Sequence, residues 1–418
     1  MQTISTSCVI AGGGPAGMMC GLLLARAGVD VTVLEKHADF LRDFRGDTVH
    51  PSTQQILHEL GLLERFLQLP HAKIRQVTLD FGDEHFTIGD FTRLPTVSKF
   101  IALMPQWDFL DFIADEAKTY PNFHLLMQTQ ARDLIAQGDR IAGVLATGPG
   151  GNIQIRAGLT IGADGRHSTL RDKSGLKLKE LGAPFDVLWL SLPHRAGDPV
   201  DLVGRIQGGV FFVMIYRGDY WQCAYGIPKG GHDAIRAEGI TAFRARLRKV
   251  AGFAADRVDT ITGFDQVKLL TVAVNRLEQW ARPGLLMIGD AAHAMSPAGG
   301  VGINLAIQDA VATANIVGPV LQRGVPKFSD LRKVQRRREW PTRLIQRFQI
   351  FAQDMMLAPT LRATQTPKVP WVVKLLNAGP WLRQFPARLI GIGPRPEHVR
   401  LGKKLDSLPS RLNAARRE

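Results

Sequence analysis

Cysteine is nearly absent. The 418 residues hold Cys8, Cys20 and Cys223, an odd number with no Cys-x-x-Cys pair and no Cys/His cluster. That excludes a disulfide framework and a zinc site, and it favours a reducing, cytoplasmic setting. No long uninterrupted apolar run is present either. The stretch with least charge, Ala291–Gln308, is broken by Pro297, Gly299, Gly300 and Gly302 and carries His293, Ser296 and Asn304, so it does not read as a membrane span. Met1–Ser7 has no basic residue, and the apolar start is interrupted by Gly12-Gly13-Gly14-Pro15, which argues against a signal peptide. Tyrosine is scarce, with four residues, and internal repeats are lacking. At 45% apolar and 22% charged residues, the composition is that of a globular chain rather than a disordered or fibrous one. The length suits two or three domains.

Charge is distributed unevenly. The net charge is +14, but residues 319–418 hold 21 basic and 6 acidic residues, whereas residues 1–318 hold 31 and 32. A near-neutral body therefore carries a basic C-terminal quarter.

The body opens with a βαβ pattern. Ser7–Ala11 is a short apolar strand, Gly12-Gly13-Gly14-Pro15-Ala16-Gly17 a turn, Met18–Ala27 an apolar helix closed by Gly28, and Val31–Leu34 a β-branched strand ending at Glu35. Gly12, Gly14 and Gly17 fall on the spacing G-x-G-x-x-G. Its glycines permit a tight turn, close approach to a pyrophosphate and close helix–strand packing. The helix N-terminus offers N–H groups and a positive dipole end to phosphates. Glu35 can accept ribose hydroxyl protons and would repel a 2′-phosphate. This fingerprint alone does not choose between NAD and FAD.

Two further strand-end motifs choose FAD. Leu159–Gly162 leads into Ala163-Asp164-Gly165-Arg166-His167-Ser168, with Arg171 beyond; Leu285–Ile288 leads into Gly289-Asp290-Ala291-Ala292-His293. Each places a carboxylate at the C-terminal end of a buried strand, where a doubly wound sheet binds its ligand. Asp290 suits ribityl hydroxyls, and the glycine-rich stretch 299–302 would bring backbone N–H groups against a ring edge at another helix start.

Gly12–Gly17, Glu35, Arg45, Asp164-Gly165 and Gly289-Asp290 resemble the single-component FAD-dependent aromatic hydroxylases. This is the p-hydroxybenzoate hydroxylase-like superfamily, with polyprenylphenol hydroxylases as relatives. The resemblance covers about residues 5–320. It implies that Gly12, Gly14, Ala16 and Glu35 contact the ADP part of FAD, Arg45 and Gln106 the phosphate–ribityl region, and Ala131 the adenine. Asp290 would bind ribityl oxygens, and Gly302, Ile303 and Asn304 would line the isoalloxazine. Asp164-Gly165 would serve FAD and a transient NADH or NADPH. Pro15, Gly17, Lys36, Gly289, Pro297 and Gly300 complete the implied cofactor set. Plainer readings stand beside several of these: Asp164 as a hairpin turn, Asp290 as a helix N-cap, Arg45 in a surface ion pair, Gln106 as the polar start of the amphipathic run Trp107–Tyr120, and His293 as a structural partner.

The expected architecture is α/β: a doubly wound, Rossmann-like FAD-binding domain (1–71, 105–182 and 265–330), an inserted β-sheet substrate domain (72–104 and 183–264) and a helical C-terminal region (331–418). Pro51 and Ser52 read as the start of a helix to about Leu67. Residues 72–104 alternate, with turns at Gly82-Asp83 and Gly89-Asp90. Val187–Leu192, Val203–Gln207, Val210–Tyr216 and Trp221–Ile227 read as strands, with a hairpin turn at Arg217-Gly218-Asp219. Residues 130–158 read as a meander turning at Gly148–Gly151. No helix follows that turn, so no dedicated nicotinamide domain is visible.

By the resemblance, the chemistry is hydroxylation of an aromatic, hydrophobic substrate by NAD(P)H and O2 through a flavin C4a-hydroperoxide. The cofactor carries the difficult step, so no catalytic triad is expected and no catalytic residue is assigned. Tyr216, Tyr220, Tyr225 and His194 are candidate bases in the substrate sheet, each with core or surface packing as its plainer reading. Two other outcomes stay open: a related flavin-dependent reductase or halogenase, and a redox-silent flavin-binding protein that docks on membrane or nucleic acid. The halogenase is disfavoured because Cys223-Ala224-Tyr225-Gly226-Ile227-Pro228 lacks both tryptophans of W-x-W-x-I-P. Arg332, Lys333, Arg336, Arg337, Arg338, Arg343 and Arg347 alternate with apolar residues at helical spacing. That suits either a peripheral contact with an anionic membrane or a solvated face of packed helices. No nucleic-acid motif accompanies the charge.

Overall fold

The strand Gln2–Ala11 pairs in parallel with Gly151–Gly162 on one side and Val31–Leu34 on the other. The protein is described by a computed structural model covering residues 1–41, 48–199, 202–362 and 368–400. Phe123–Leu126 and Leu285–Met287 extend the parallel sheet outward, and Ala281–Arg282 closes one edge antiparallel. Cys8–Ala11 and Val31–Leu34 are buried at every position, as strands covered on both faces must be. The helices Pro15–Arg26 and Gly302–Leu321 pack together over this sheet. The meander forms as expected: Gln130–Gln137 and Arg140–Gly148 lie antiparallel beside the first half of Gly151–Gly162.

A second sheet runs in the order Lys268–Leu270, Phe185–Pro193, Tyr220–Pro228, Val210–Tyr216, Val203–Gln207, Gln76–Phe81, Glu84–Asp90. The two alternating stretches join where Gly204–Ile206 pairs in parallel with Leu79–Phe81. One face is covered by the helix Ile240–Ala251, whose Phe243, Leu247 and Val250 pack with Leu188, Leu190, Phe212, Met214 and Tyr225. The opposite face carries Val187, Trp189, Phe211, Val213 and Ala224, which pack with Leu357 and Leu361 from the C-terminal region.

Three expectations are corrected. The helix from Pro51 ends at Glu59, because the chain turns at Gly61 with φ +75°; a short helix, Leu63–Phe66, follows. Gly89-Asp90 is not a turn but the end of the strand Glu84–Asp90, paired with Val77 and Gln76. Ala72–Ile74 and Ile101–Leu103 leave the large sheet to form a small one with Thr48–Val49.

The helix Phe328–Ala352 lies on Gly302–Leu321 through Leu331, Val334, Arg338, Thr342, Ile345 and Gln349, while Arg332, Lys333, Arg336, Arg343 and Arg347 point to solvent. Among the described residues one helical stretch, Ala298–Leu321, is long and apolar enough to cross a membrane, but 78% of its most apolar window is buried in the fold. It is a core element.

Candidate functional site

Three loops leave the C-terminal ends of the central parallel strands and meet. Gly12 has φ +107°, and a Cβ there would lie 2.3 Å from the Ala163 carbonyl oxygen, so only glycine lets the first loop touch the second. Gly12 N–H donates to Leu34 O at 2.8 Å, and Ala163 N–H to Ala11 O at 2.8 Å. The third loop joins them through Ile288 N–H to Gly162 O, 3.0 Å, and through contact of Gly289 with Ala16.

Side chains reinforce the junction. Arg166 Nη2 lies 3.7 Å from Asp290 Oδ2. Arg171, almost fully buried, reaches Ala291 O at 3.4 Å and Arg166 O at 2.7 Å. Asp164 accepts from Ser168 Oγ and, at 3.0 Å, from Leu170 N–H. Burial pushes the pKa of Asp164 up, against the pull of those two donors. Ser168 caps the helix Thr169–Ser174 by accepting from Arg171 N–H.

Glu35 is buried and accepts from Gly13 N–H and His37 N–H, both at 3.0 Å. These two bonds orient the carboxylate. Lys36, beside it, is exposed. Ala131 is brought close because Thr129 N–H donates to Glu35 O. Gln106 opens the helix Gln106–Ala117, just past the strand Ile101–Leu103. That strand pairs with Thr48, whose hydroxyl donates to Gly300 O at 2.8 Å. Arg45 lies outside the described residues.

The segment after Asp290 reaches Pro297, Gly299 (φ +79°) and Gly300 (φ +60°) before the helix Gly302–Leu321. Asn304 is the brace of this turn. Its Oδ1 accepts from His50 N–H (3.0 Å) and Thr53 Oγ (2.7 Å), and its Nδ2 donates to Thr48 O (3.2 Å) and Gly300 O (3.4 Å). The amide is fully used by the protein, while the N–H groups of 302–304 sit in the first turn of the helix, where no intrahelical acceptor is available.

An FAD fits what is present. The helices beginning at Pro15 and Gly302 both lack a side-chain cap, leaving first-turn N–H groups without intrahelical acceptors. A Cβ on Gly14 or Gly302 would meet nothing within 4 Å, so both turns border open space. Two uncapped helix starts and two acidic strand ends match a molecule with phosphates, two polyols and an electron-rich ring edge.

Three of the four candidate bases are placed elsewhere, whereas Tyr220, next to Trp221 in the strand Tyr220–Pro228, alternates onto the opposite face. Tyr225 packs against Phe212 and Phe243 on the helix-covered face, and burial pushes its pKa up to about 12. Tyr216 and His194 lie against Trp221 with their rings tilted to it. Strand alternation sends all three towards the helical layer.

Sequence reasoning missed Asp309 as a site residue. It is fully buried, and its Oδ2 accepts from Gly289 N–H (3.1 Å) and His293 Nε2 (2.6 Å). A single carboxylate inside the apolar run Ala306–Ala314 was the available signal, since a buried charge demands partners.

The sequence profile of a family described as an FAD binding domain matches residues 5–347. A 6-methylpretetramide 4-monooxygenase of Streptomyces rimosus is 32% identical over 371 residues, 88% of each chain. A para-nitrophenol 4-monooxygenase of Pseudomonas sp. strain WBC-3 is 25% identical over 361 residues, 81% of this chain and 84% of that one. Among solved structures, the p-nitrophenol 4-monooxygenase PnpA of Pseudomonas putida DLL-E4 superposes with a TM-score of 0.74 at 21% identity, covering 93% of this chain and 97% of the other. The chain therefore belongs to the FAD-binding-domain family and, with these relatives, to the FAD-dependent aromatic monooxygenases of the p-hydroxybenzoate hydroxylase-like superfamily.

Proposed function

We propose that the protein uses NAD(P)H and O2 to hydroxylate a hydrophobic aromatic substrate, one oxygen atom entering the ring and the other leaving as water. The observation that carries this reading is the convergence of Gly12–Gly17, Asp164 and Gly289-Asp290 at one end of the sheet, in a chain 32% identical to a monooxygenase. Bound FAD supplies the oxygen-transfer chemistry. The chain binds it: Gly14 to Gly17 at the pyrophosphate, Glu35 at the adenosine ribose, Ala131 at the adenine, Asp290 and Gly289 at the ribityl oxygens, and the N–H groups of 302–304 at the ring. Gln106 completes the phosphate–ribityl side.

The substrate lies at the face of the second sheet opposite the helix Ile240–Ala251, beside the apolar cluster that Trp189, Phe211, Val213 and Ala224 form with Leu357 and Leu361 and that excludes water. Gln222, opposite in alternation to Trp221 and Cys223, supplies the polar contact. Its Oε1 accepts from Arg217 Nε at 3.0 Å, while its buried Nε2 has no partner and is free to meet a phenolic or carbonyl oxygen. NADH or NADPH consumption by the yellow holoprotein, with 6-methylpretetramide, p-nitrophenol and prenylated phenols as first candidates, tests the reading. Substrate-stimulated oxidation with one 18O atom entering the product is expected. No stimulation by any phenol, or product without label, would overturn it.

A peripheral contact with anionic lipid belongs to the same proposal. Trp371 and Trp381 are each 71% exposed and Phe385 is 72% exposed; Trp371 and Phe385 lie on the helices Trp371–Ala378 and Gln384–Gly391 and Trp381 on the turn between them, where Arg383 donates to Leu376 O and Asn377 O. Residues 355–396 contain six basic and no acidic residues. Exposed aromatics within an all-cationic stretch suit an anionic interface and oppose a like-charged second copy. Vesicles with and without phosphatidylglycerol test this. The expected result is binding to the anionic vesicles only, lost in W371A/W381A; equal binding by that variant speaks against it.

A further inference from the structure

Asp309 and Arg338 form a sealed ion pair, and Arg338 is held in turn by Arg395 and Glu397, which lie outside the matched family region. Asp309 Oδ2 holds Gly289 N–H and His293 on one side; its Oδ1 accepts from Arg338 Nε at 3.0 Å on the other. Arg338, 1% exposed, turns its Nη1 to Arg395 O (3.1 Å) and Glu397 Oε1 (3.4 Å). Glu397, also buried, accepts from Arg337 Nε at 2.6 Å, and its N–H donates to Gln308 Oε1 at 2.8 Å.

The segment Pro394–Arg400 has no regular structure of its own. Side chains of the body hold it: Glu59 accepts from Val399 N–H (2.8 Å), and Asn315 bonds His398 O (2.8 Å) and Arg400 N–H (3.0 Å). It lies over a cavity of about 20 Å³, room for one water, walled by Asn304, Gln308, Arg338 and Ile390. The family match ends at residue 347, so this strap is an element that the shared FAD-binding region does not include.

We propose that the strap is part of the flavin site, with Glu397 and Arg338 as positioning residues that hold the Gly289-Asp290 loop through Asp309. Each link is a buried, charge-assisted bond, and among the described residues Arg338 alone spans both carboxylates. Without Glu397 the guanidinium loses its outer anchor. Asp309 then grips Gly289 less firmly, and Asp290 is no longer presented in one place. The inference rests on the assignment of Gly289-Asp290 to FAD.

The test measures FAD affinity by flavin fluorescence on stripped protein, the visible spectrum of the bound flavin, and the melting temperature of the apoprotein. The variants are E397Q, R338M, a chain ending before Pro394, and D290A. R257M serves as control, because Arg257, in the helical turn Gly252–Thr260, forms a buried pair with Asp198, in the turn after the strand Phe185–Pro193, away from these loops. E397Q and the shortened chain should bind FAD at least tenfold more weakly with an altered spectrum, and R338M more weakly still. R257M should lower the melting temperature and leave FAD affinity unchanged. If E397Q and the shortened chain bind FAD within twofold of wild type while D290A does not, the strap has no such role. If D290A also binds normally, the site assignment fails first. Should R338M not fold, E397Q and the shortened chain decide the matter. Weakening by R257M equal to that by E397Q would reduce the effect to general destabilisation and overturn the proposal.

Discussion

Arg166 Nη2 stands 3.7 Å from Asp290 Oδ2, across the gap between two strand-end loops that are more than a hundred residues apart in sequence. Both side chains are partly open to solvent, so the pair is a loose one. A pair this long and this exposed holds the Asp290 carboxylate only weakly. A charge-assisted hydrogen bond contributes about 1.5–3 kcal/mol. D290A is therefore expected to weaken FAD binding by about ten- to hundredfold, and R166Q by less. Fluorescence titration of stripped protein measures both. Unchanged affinity in D290A would remove Asp290 from the site.

Gly14 and Gly17 separate the demands of fold and ligand. A Cβ at Gly17 would lie 1.9 Å from Gly12 O, whereas one at Gly14, whose φ of −75° any residue adopts, meets nothing within 4 Å. G17A should destabilise the apoprotein by about 1–3 kcal/mol, as overpacking does. G14A should leave apoprotein stability within about 0.5 kcal/mol while its methyl group obstructs the pyrophosphate and lowers FAD affinity. Melting temperatures of both apoproteins with FAD titrations distinguish the two. A G14A protein that binds FAD normally would place the pyrophosphate elsewhere.

The elements visible in the sequence were those with local causes. The strands Val203–Gln207 and Val210–Tyr216 match their expected bounds because alternation and the flanking Gly208-Gly209 and Arg217-Gly218-Asp219 turns fix them within a few residues. The βαβ unit was legible because each of its glycines has a steric task. Arg338 was not, since three consecutive arginines read as one solvated face. Yet Leu331, Val334, Arg338, Ile345 and Gln349 lie on one helical stripe, and their spacing already placed this arginine inward. The break after Glu59 depended on a single φ at Gly61. The saturation of the Asn304 amide depended on Thr48, His50 and Thr53, which are some 250 residues distant, and no local pattern encodes such a contact.

Gln222 yields a prediction that separates substrate recognition from packing. Its Nε2 is buried without an acceptor, a state that costs about 1–3 kcal/mol. Replacing it by leucine removes that burden, although Arg217 Nε loses one acceptor. Q222L is expected to keep apoprotein stability within about 1 kcal/mol and to raise KM for a phenolic substrate about tenfold, the loss of one hydrogen bond, with little change in kcat. Steady-state kinetics and melting curves together decide. A lowered melting temperature with unchanged KM would make Gln222 a structural residue.

His50 makes the flavin side of the fold sensitive to mild acid. Its ring is fully buried; Nδ1 donates to Ile390 O at 2.9 Å and Nε2 has no partner, so the neutral form is the one that fits. Burial lowers its pKa from 6.5 to about 4, against the pull of the Ile390 carbonyl. The unfolded chain therefore takes up this proton as pH falls through about 6.5, and the folded protein only near 4. Between those values the unfolded state binds more protons, so stability falls with falling pH, by about 1.4 kcal/mol per unit at most. Below about pH 4 the group adds no further change. Asp309, held low by His293 and Arg338 despite its burial, acts in the opposite sense of charge and in a lower window. Its contribution is intact above the ordinary carboxylate range and is lost only as pH falls through that range towards its folded value. H50N keeps an N–H near the position of Nδ1 and has no proton to gain. Urea unfolding at pH 7, 6 and 5 should show wild type losing about 1–2 kcal/mol more than H50N across that interval. Parallel losses in the two proteins would mean that His50 takes up its proton at the same pH folded and unfolded, and that the Ile390 carbonyl offsets burial.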